Sequence, residues 1–210
     1  MLIATQRSGF GVSGIIGGNL FRATPYAGNN VEVVTEQDFI SNGGLFISRR
    51  TNSGSPFHVV DTLRGVGDTL FLNNESFSVS NQDDITAFRN NGVRKGIDPD
   101  TSSGGEGVIF SWLEQAGYMD IVEYTGDNVS PSQVIPHDLE AIPQLMAVKN
   151  RSINSEWYVY HSTPGPNTAF FFNQPGAPPV IQDNYWNFTA PTDTEFTAGS
   201  DINSNASEYI

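Results

Sequence analysis

Three sets of side chains in this sequence have the types and spacing to do chemistry. The first lies in "DTLRGVGDTLFLNN" (61–74), where two close glycines follow an arginine. Backbone N–H groups in such a loop can cradle a phosphate. A phosphate loop, however, needs Gly-x-x-x-x-Gly-Lys-Ser/Thr ahead of a helix, and a dinucleotide fingerprint needs a third glycine. Neither follows here, and the glycines run into a strand-like segment. The stretch reads as a tight turn between antiparallel strands, with Gly65 or Gly67 supplying a positive φ. The second set is a pair of oxygen-rich loops. "DPDTSSGGEG" offers Asp98, Asp100 and Glu106, and "DINSNASE" offers Asp201, Asn203, Asn205 and Glu208. Calcium takes about six to eight oxygen ligands, and alternating acids and amides can converge on it. Neither loop completes an EF-hand, and the same residues serve equally as turns that satisfy backbone groups. A structural calcium ion is the only cofactor these residues suggest.

The third set is the histidines and carboxylates. His58, His137 and His161 lack a short metal-ligand spacing, and no cysteine is present to complete a zinc site. His161 reads as a strand-end polar group and His137 as a loop hydrogen-bonding residue before Leu139. Glycoside cleavage needs two acids facing across a cleft. Asp83-Asp84, Asp120 with Glu123, and Glu156 are available, but nothing in the sequence brings two together. No Gly-x-Ser-x-Gly elbow occurs. No residue is therefore assigned to catalysis, and a non-enzymatic protein is expected. In "DNYWNF" (183–188), Tyr185 and Trp186 are candidates for glycan stacking from an exposed loop, with core or subunit packing as the alternative.

The elements that must position these groups are strands. The chain has 210 residues, 16% charged and 11% aromatic, with 21 Gly and 12 Pro. That composition favours short strands and turns over long helices. The net charge of −13 argues against a nucleic-acid partner, because phosphate contacts need clustered cations. The local basic groups, Arg49-Arg50, Arg64 and Arg89/Arg94/Lys95, read as solvated surface. No apolar run is long enough for a membrane span. Alternating or apolar runs occur at 30–37, 44–50, 57–63, 68–74, 107–113, 120–126, 144–151, 156–162 and 168–174, separated by Ser/Asn/Gly/Pro loops. The fold class expected is all-β, a β-sandwich or jelly-roll-like architecture.

An internal repeat sharpens this. "LFISRRTNSGSPFHVVDTLRGVGDTLFLNN" (45–74) aligns with "LMAVKNRSINSEWYVYHSTPGPNTAFFFNQ" (145–174). Both read strand, polar turn, strand, Gly-containing turn, and a strand closing on Asn73 or Asn173. Further on, Gly96 and Asp98 fall opposite Gly199 and Asp201. The chain is thus expected to comprise an N-terminal attachment region (1–43), a first β unit (44–117) and a second (118–210). The second copy ends at "ASEYI", where the first runs on through "GEGVIFSWLEQAG", so its last strand is expected to be short or completed by another chain.

The pattern resembles a family of repeated concanavalin A- or laminin-G-like β-sandwich domains in virion structural proteins of marine and cyanobacterial phages. The residues carrying it are Tyr124-Thr125-Gly126, then His137, Leu139 and Pro143, then Val148, Lys149 and Arg151, then Trp157, Val159, Tyr160 and His161. The resemblance spans roughly 44–208 and departs at Glu140, where glycine is usual. It implies a virion location and a role in tail, fibre or capsid decoration. Its partners would be copies of itself and other virion proteins, and possible contact with a host surface glycan follows from a fibre location. A carbohydrate-binding module, or less favourably a polysaccharide depolymerase, is the alternative.

Overall fold

The structure, a computed structural model, describes residues 2–4, 19–52, 54–99, 101, 105–129, 131–182, 184–204 and 206–210. These residues form an all-β protein of several small antiparallel sheets. They fall into two compact units. The first comprises the described residues of Gly9–Leu72 and Ser78–Glu114. The second comprises those of Met1–Ser8, Asn73–Phe77 and Gln115–Ile210. Strand β1 (Leu2–Ala4) therefore opens the chain but belongs to the second unit.

The first unit contains β2 (Phe21–Ala27), β3 (Glu32–Val34), helix α1 (Phe39–Asn42), β4 (Gly44–Arg50), β5 (His58–Asp61), β6 (Gly67–Phe71), β7 (Val79–Asn81), β8 (Ile85–Phe88), β9 (Gly92–Lys95) and β10 (Glu106–Leu113). Six strands form one sheet in the order β2-β10-β4-β5-β6-β7, and β3-β9-β8 form a second. Strand β10 shows the cause of the layering. Gly107, Ile109, Ser111 and Leu113 are buried while the residues between them are not, the period of two that turns alternate side chains to one face. Phe46, Val60 and Ile109 of the large sheet share a core with Val33, Ile85 and Val93 of the small one. The Asp38 carboxylate caps α1, accepting from the Ile40 and Ser41 amides at 3.0 Å, and α1 seats Phe39 4.4 Å from Phe46.

The turn between β5 and β6 is the glycine pair of the opening motif. Gly65 and Gly67 have φ of 89° and 87°, a region that costs glycine nothing. Arg64 is not solvated there. Its side chain is fully buried, donating from Nε to Asp61 Oδ2 at 2.5 Å and from Nη2 to Val59 O at 3.1 Å. It lies 3.3 Å from Asp68 Oδ1. The carboxylate of Asp61, itself fully buried, holds the arginine in the turn.

The second unit contains β11 (Met119–Ile121), β12 (Tyr124–Thr125), β13 (Ser132–Pro136), β14 (Leu145–Lys149), β15 (Trp157–His161), β16 (Thr168–Phe171), β17 (Val180–Ile181), β18 (Glu195–Gly199) and β19 (Glu208–Tyr209). Its six-stranded sheet runs β11-β1-β14-β15-β16-β17, with β13 paired to β18 and β12 to β19. Met146, Val148, Tyr160 and Ala169 of the large sheet pack with Ile135, Phe196 and Ala198 of the β13–β18 pair.

The expected repeat is present in the registers. Phe46 opposes Val60 and Met146 opposes Tyr160; Val59 opposes Leu70 and Val159 opposes Phe170. Both turns close alike, by Gly65 N to Asp61 O and Gly165 N to His161 O, each at 3.1 Å. The strand beside β14, expected to be short or to come from another chain, is β1. Ile3 opposes Met146 where β10 places Ser111 opposite Phe46. The described residues of 1–43 thus supply strands to both units.

Candidate functional site

The most unusual chemistry of the molecule lies in the first unit, at the end of the small sheet. The turn Asn90-Asn91-Gly92 joins β8 to β9, a type of sequence that favours tight hairpins. It sets Ile85 opposite Lys95, so Asp84, one residue earlier, lies beside the lysine. Ser48 and His58 oppose each other across β4 and β5, on the face shared by Phe46 and Val60. Gly96 lets the backbones close: a Cβ there would come within 2.2 Å of Asp83 O. Its amide donates to Asp84 O at 2.7 Å, and the Asp98 amide donates to Asp83 O at 3.0 Å.

The result is a buried polar cluster. Asp84, Lys95 and Thr101 are 0% exposed, Ser48 and His58 1%, and Asp98 5%. Lys95 Nζ donates to Asp84 Oδ1 in direct contact and to Thr101 Oγ1 at 2.8 Å. The Thr101 hydroxyl donates to Asp84 Oδ1 at 2.7 Å and lies 3.2 Å from Asp98 Oδ1. Ser48 Oγ is 3.3 and 3.2 Å from the two Asp84 oxygens. His58 Nδ1 stands between the acids, 3.3 Å from Asp84 Oδ2 and 4.0 Å from Asp98 Oδ1. Asn81 Nδ2 donates to Asp98 Oδ2 at 2.6 Å. The ring of Tyr26 covers the lysine at 5.4 Å, and its hydroxyl donates to Thr101 O. Burial opposes ionisation of Asp84, but Lys95 and then His58 outweigh it and hold the carboxyl well below the usual range. Burial, reinforced by Asp84 and Asp98, pushes the Tyr26 phenol well up.

The same place in the second unit is apolar. Gly199 N donates to Tyr185 O at 2.7 Å and Asp201 N to Asn184 O at 2.9 Å, reproducing the bonds of Gly96 and Asp98. Tyr185 therefore stands where Asp84 does, and Ala198 where Lys95 does. By register, Val148 replaces Ser48 and Tyr158 replaces His58. Val148, Tyr185 and Ala198 belong to the apolar cluster, with Tyr158 packed against it.

The residues singled out in the sequence are distributed as follows. Asp98 joins the polar cluster. Glu106 is exposed at the start of β10, and Asp201 is exposed in the 3-10 turn Ser200–Ile202. Asn203 is buried, donating to Asp127 Oδ1 at 2.9 Å and accepting from the Asp127 amide at 2.9 Å. Asp100 and Asn205 lie outside the described residues. Among the described residues no group of three His, Asp or Glu is arranged to hold a metal ion. Tyr185 and Trp186, expected on an exposed loop, are 6% and 1% exposed. Tyr185 packs 5.1 Å from Tyr158 and Trp186 5.7 Å from Tyr160, so their faces are committed to the core. His137 Nδ1 accepts from the Leu139 amide at 3.3 Å, and His161 Nδ1 from the Thr163 amide at 3.1 Å. Asp120 and Glu123 do share a cleft, of about 270 Å³, with His137 and Asp138. There Asp120 Oδ2 accepts from the Asp138 amide at 2.8 Å and Glu123 pairs with Arg151.

In the sequence Asp84 stands only as one of the carboxylates available for an acid pair, and its pairing with Lys95 is what the sequence reading misses. Lys95 had been grouped with Arg89 and Arg94 as surface charge, which holds for the two arginines, paired with the exposed Glu32. The signal that finds the lysine is "ITAFRNNGVRK", whose central Asn-Gly predicts a hairpin and hence which residues share the core face. Lys149, in the second unit, is buried as well, donating to the carbonyls of Glu75 at 2.8 Å and Ser155 at 2.5 Å. Its burial lowers the amine to about 8 against the opposing pull of Glu156 and Glu75.

One apolar surface feature accompanies these sites. A groove of about 580 Å³ in the first unit is lined by Phe39, Ile40, Val66, Thr86, Ala87 and Phe88, among others. Ile40 is 68% exposed.

Residues 17–210 match the family model described as "Domain of unknown function (DUF7483)". No curated protein and no solved structure matches the chain.

Proposed function

The chain belongs to the DUF7483 family, and from that premise and the geometry above we propose that it is a non-enzymatic structural protein of a phage virion, in a tail, fibre or capsid decoration. It acts by protein–protein assembly, with copies of itself and other particle proteins as partners. Each unit is read as a small β-sandwich, since one large and one small antiparallel layer share a core in both. The sequence resemblance supplies the particle.

The observation that carries the assembly reading is the apolar groove of the first unit. Ile40 and Val66 are exposed beside it, at 68% and 45%, and an exposed apolar patch rimmed by polar residues is what a protein–protein contact covers. The two aromatics expected to stack on a glycan, Tyr185 and Trp186, are packed inside.

The test is sedimentation of the full chain, alone and as an Ile40→Asp/Val66→Asp variant, with peptide identification in purified particles. A concentration-dependent assembly that the variant loses, and recovery of the chain from particles, is the expected result. A wild-type chain that stays monomeric and is absent from particles contradicts the reading.

A further inference from the structure

We infer that Lys95 and Asp84 form an intramolecular amide cross-link between their side chains, a covalent modification completed inside the folded first unit. The inference stands apart from the virion role, since it rests only on the buried cluster.

Three observations carry it. First, nucleophile and electrophile are already in place. Lys95 Nζ touches the Asp84 carboxyl, with both side chains fully buried, and holding reactants in contact removes most of the entropic barrier to a condensation. Second, the surroundings supply the proton handling. His58 Nδ1 faces Asp84 Oδ2 at 3.3 Å and reaches toward Asp98 at 4.0 Å. Thr101 Oγ1 is within 2.8 Å of both Nζ and Asp84 Oδ1. Ser48 Oγ lies within 3.3 Å of both carboxyl oxygens. Third, the frame does not require the charges. The second unit builds the same backbone with Tyr185 and Ala198 in these positions, held by the same amide-to-carbonyl bonds. A buried ion pair is no more stabilising than well-packed apolar residues, so a use other than stability explains its presence.

The step balances without a co-reactant. A proton passes from the Lys95 ammonium to the Asp84 carboxylate with which it is paired, giving the neutral amine whose lone pair can attack and a neutral acid. The Nζ lone pair forms a bond to Asp84 Cγ. The negative charge that develops on Oδ2 is stabilised by the Ser48 hydroxyl at 3.2 Å and by His58 Nδ1, which faces it at 3.3 Å. A proton leaves Nζ and, relayed by Thr101 Oγ1, which lies 2.8 Å from Nζ and 2.7 Å from Asp84 Oδ1, reaches Oδ1 as the departing oxygen. The Cγ–O bond breaks, one water leaves, and an uncharged amide joins the two side chains. Nothing is oxidised or reduced. The ring of Tyr26 over Nζ keeps the amine out of solvent.

The experiment is mass spectrometry of the purified full chain after denaturation, with proteolytic mapping. The expected result is a mass lower by one water than the sequence requires. The missing mass should map to a branched peptide in which the segment holding Asp84 is joined to the one beginning at Lys95, which trypsin no longer releases. Lys95→Arg should restore the full mass. Asp84→Asn, if it folds, should lose ammonia in place of water, a signature that an ion pair cannot give. A folded wild-type chain of full mass, with separate peptides for Asp84 and Lys95, overturns the inference. Because that outcome is read on the wild type, it does not depend on any variant folding.

Discussion

The two units build one frame around opposite centres. In the first, Ser48, His58, Asp84 and Lys95 meet in a buried polar cluster. In the second, Val148, Tyr158, Tyr185 and Ala198 occupy the corresponding places, and Phe171 packs edge-on and Tyr185 tilted against Tyr158. The glycines are what the copies keep. Gly96 and Gly199 each let a backbone carbonyl approach to where a Cβ would sit, 2.2 Å from Asp83 O and 2.5 Å from Asn184 O. Backbone geometry is therefore set by the shared small residues, and the identity of the centre is free to change. The aromatic centre is stabilised by burial. The polar centre must offset the desolvation of its ions with contacts of good geometry, or remove the charges altogether.

The sharpest way to break the comparison is to damage each centre in turn. Trp186→Ala removes a ring 1% exposed from the second core and should cost about 3–5 kcal/mol in denaturant unfolding. Lys95→Met should cost the first unit a similar amount, about 3–5 kcal/mol, because Asp84 is left buried without its partner. An Asp84→Leu/Lys95→Met double variant should lose less than Lys95→Met alone. A double variant no better than the single one would show that the first frame depends on the Asp84–Lys95 pair itself, and the equivalence of the centres would fail.

Smaller effects test the shared frame. Gly96→Ala and Gly199→Ala should each destabilise by about 1–3 kcal/mol, the range for overpacking, and by like amounts in thermal melts. A cost at only one glycine would separate the units. Lys149 gives a pH signature confined to the second. Its folded amine sits at about 8 against an ordinary 10.5. Between these values the unfolded chain holds a proton that the folded chain has shed, so stability should rise with pH across that window. Lys149→Met should flatten the slope. Least of all, Ile40→Ser should shift stability by no more than about 0.5 kcal/mol, as for an ordinary surface change, while weakening assembly in sedimentation.

Much of this frame was legible in the sequence. The alternation of 44–50, 57–63, 107–113 and 156–162 marked strands that form, and the alignment of 45–74 with 145–174 reproduced the observed registers. Gly96 and Asp98 opposite Gly199 and Asp201 proved to be the same hydrogen-bonding turn. Other parts were hidden for identifiable reasons. Strand β2 carries Pro25 and a mostly exposed face, so neither its composition nor its periodicity marks it. Helix α1 is four residues long, too short to show a helical period. Arg64 and Lys95 looked like surface charge because burial of a cation depends on a partner elsewhere in the chain: Asp61 three residues away, and Asp84 across a hairpin. Tyr185 and Trp186 lay in a segment rich in polar residues, and only the packing of Tyr158 and Tyr160 reveals that the loop turns inward. Strand β1 was the least accessible, since its partners, Met119–Ile121 and Leu145–Ala147, are more than a hundred residues away (2 to 121, 4 to 145).

The claim that most needs testing is that one frame is built twice, with the second copy completed by the start of the chain. Amide hydrogen exchange on the full chain, with and without residues 1–4, tests it directly. The account predicts that the truncated chain loses protection at β11 and β14 while β4 and β10 keep theirs. Unchanged protection at β14, or equal loss at β4, would contradict it.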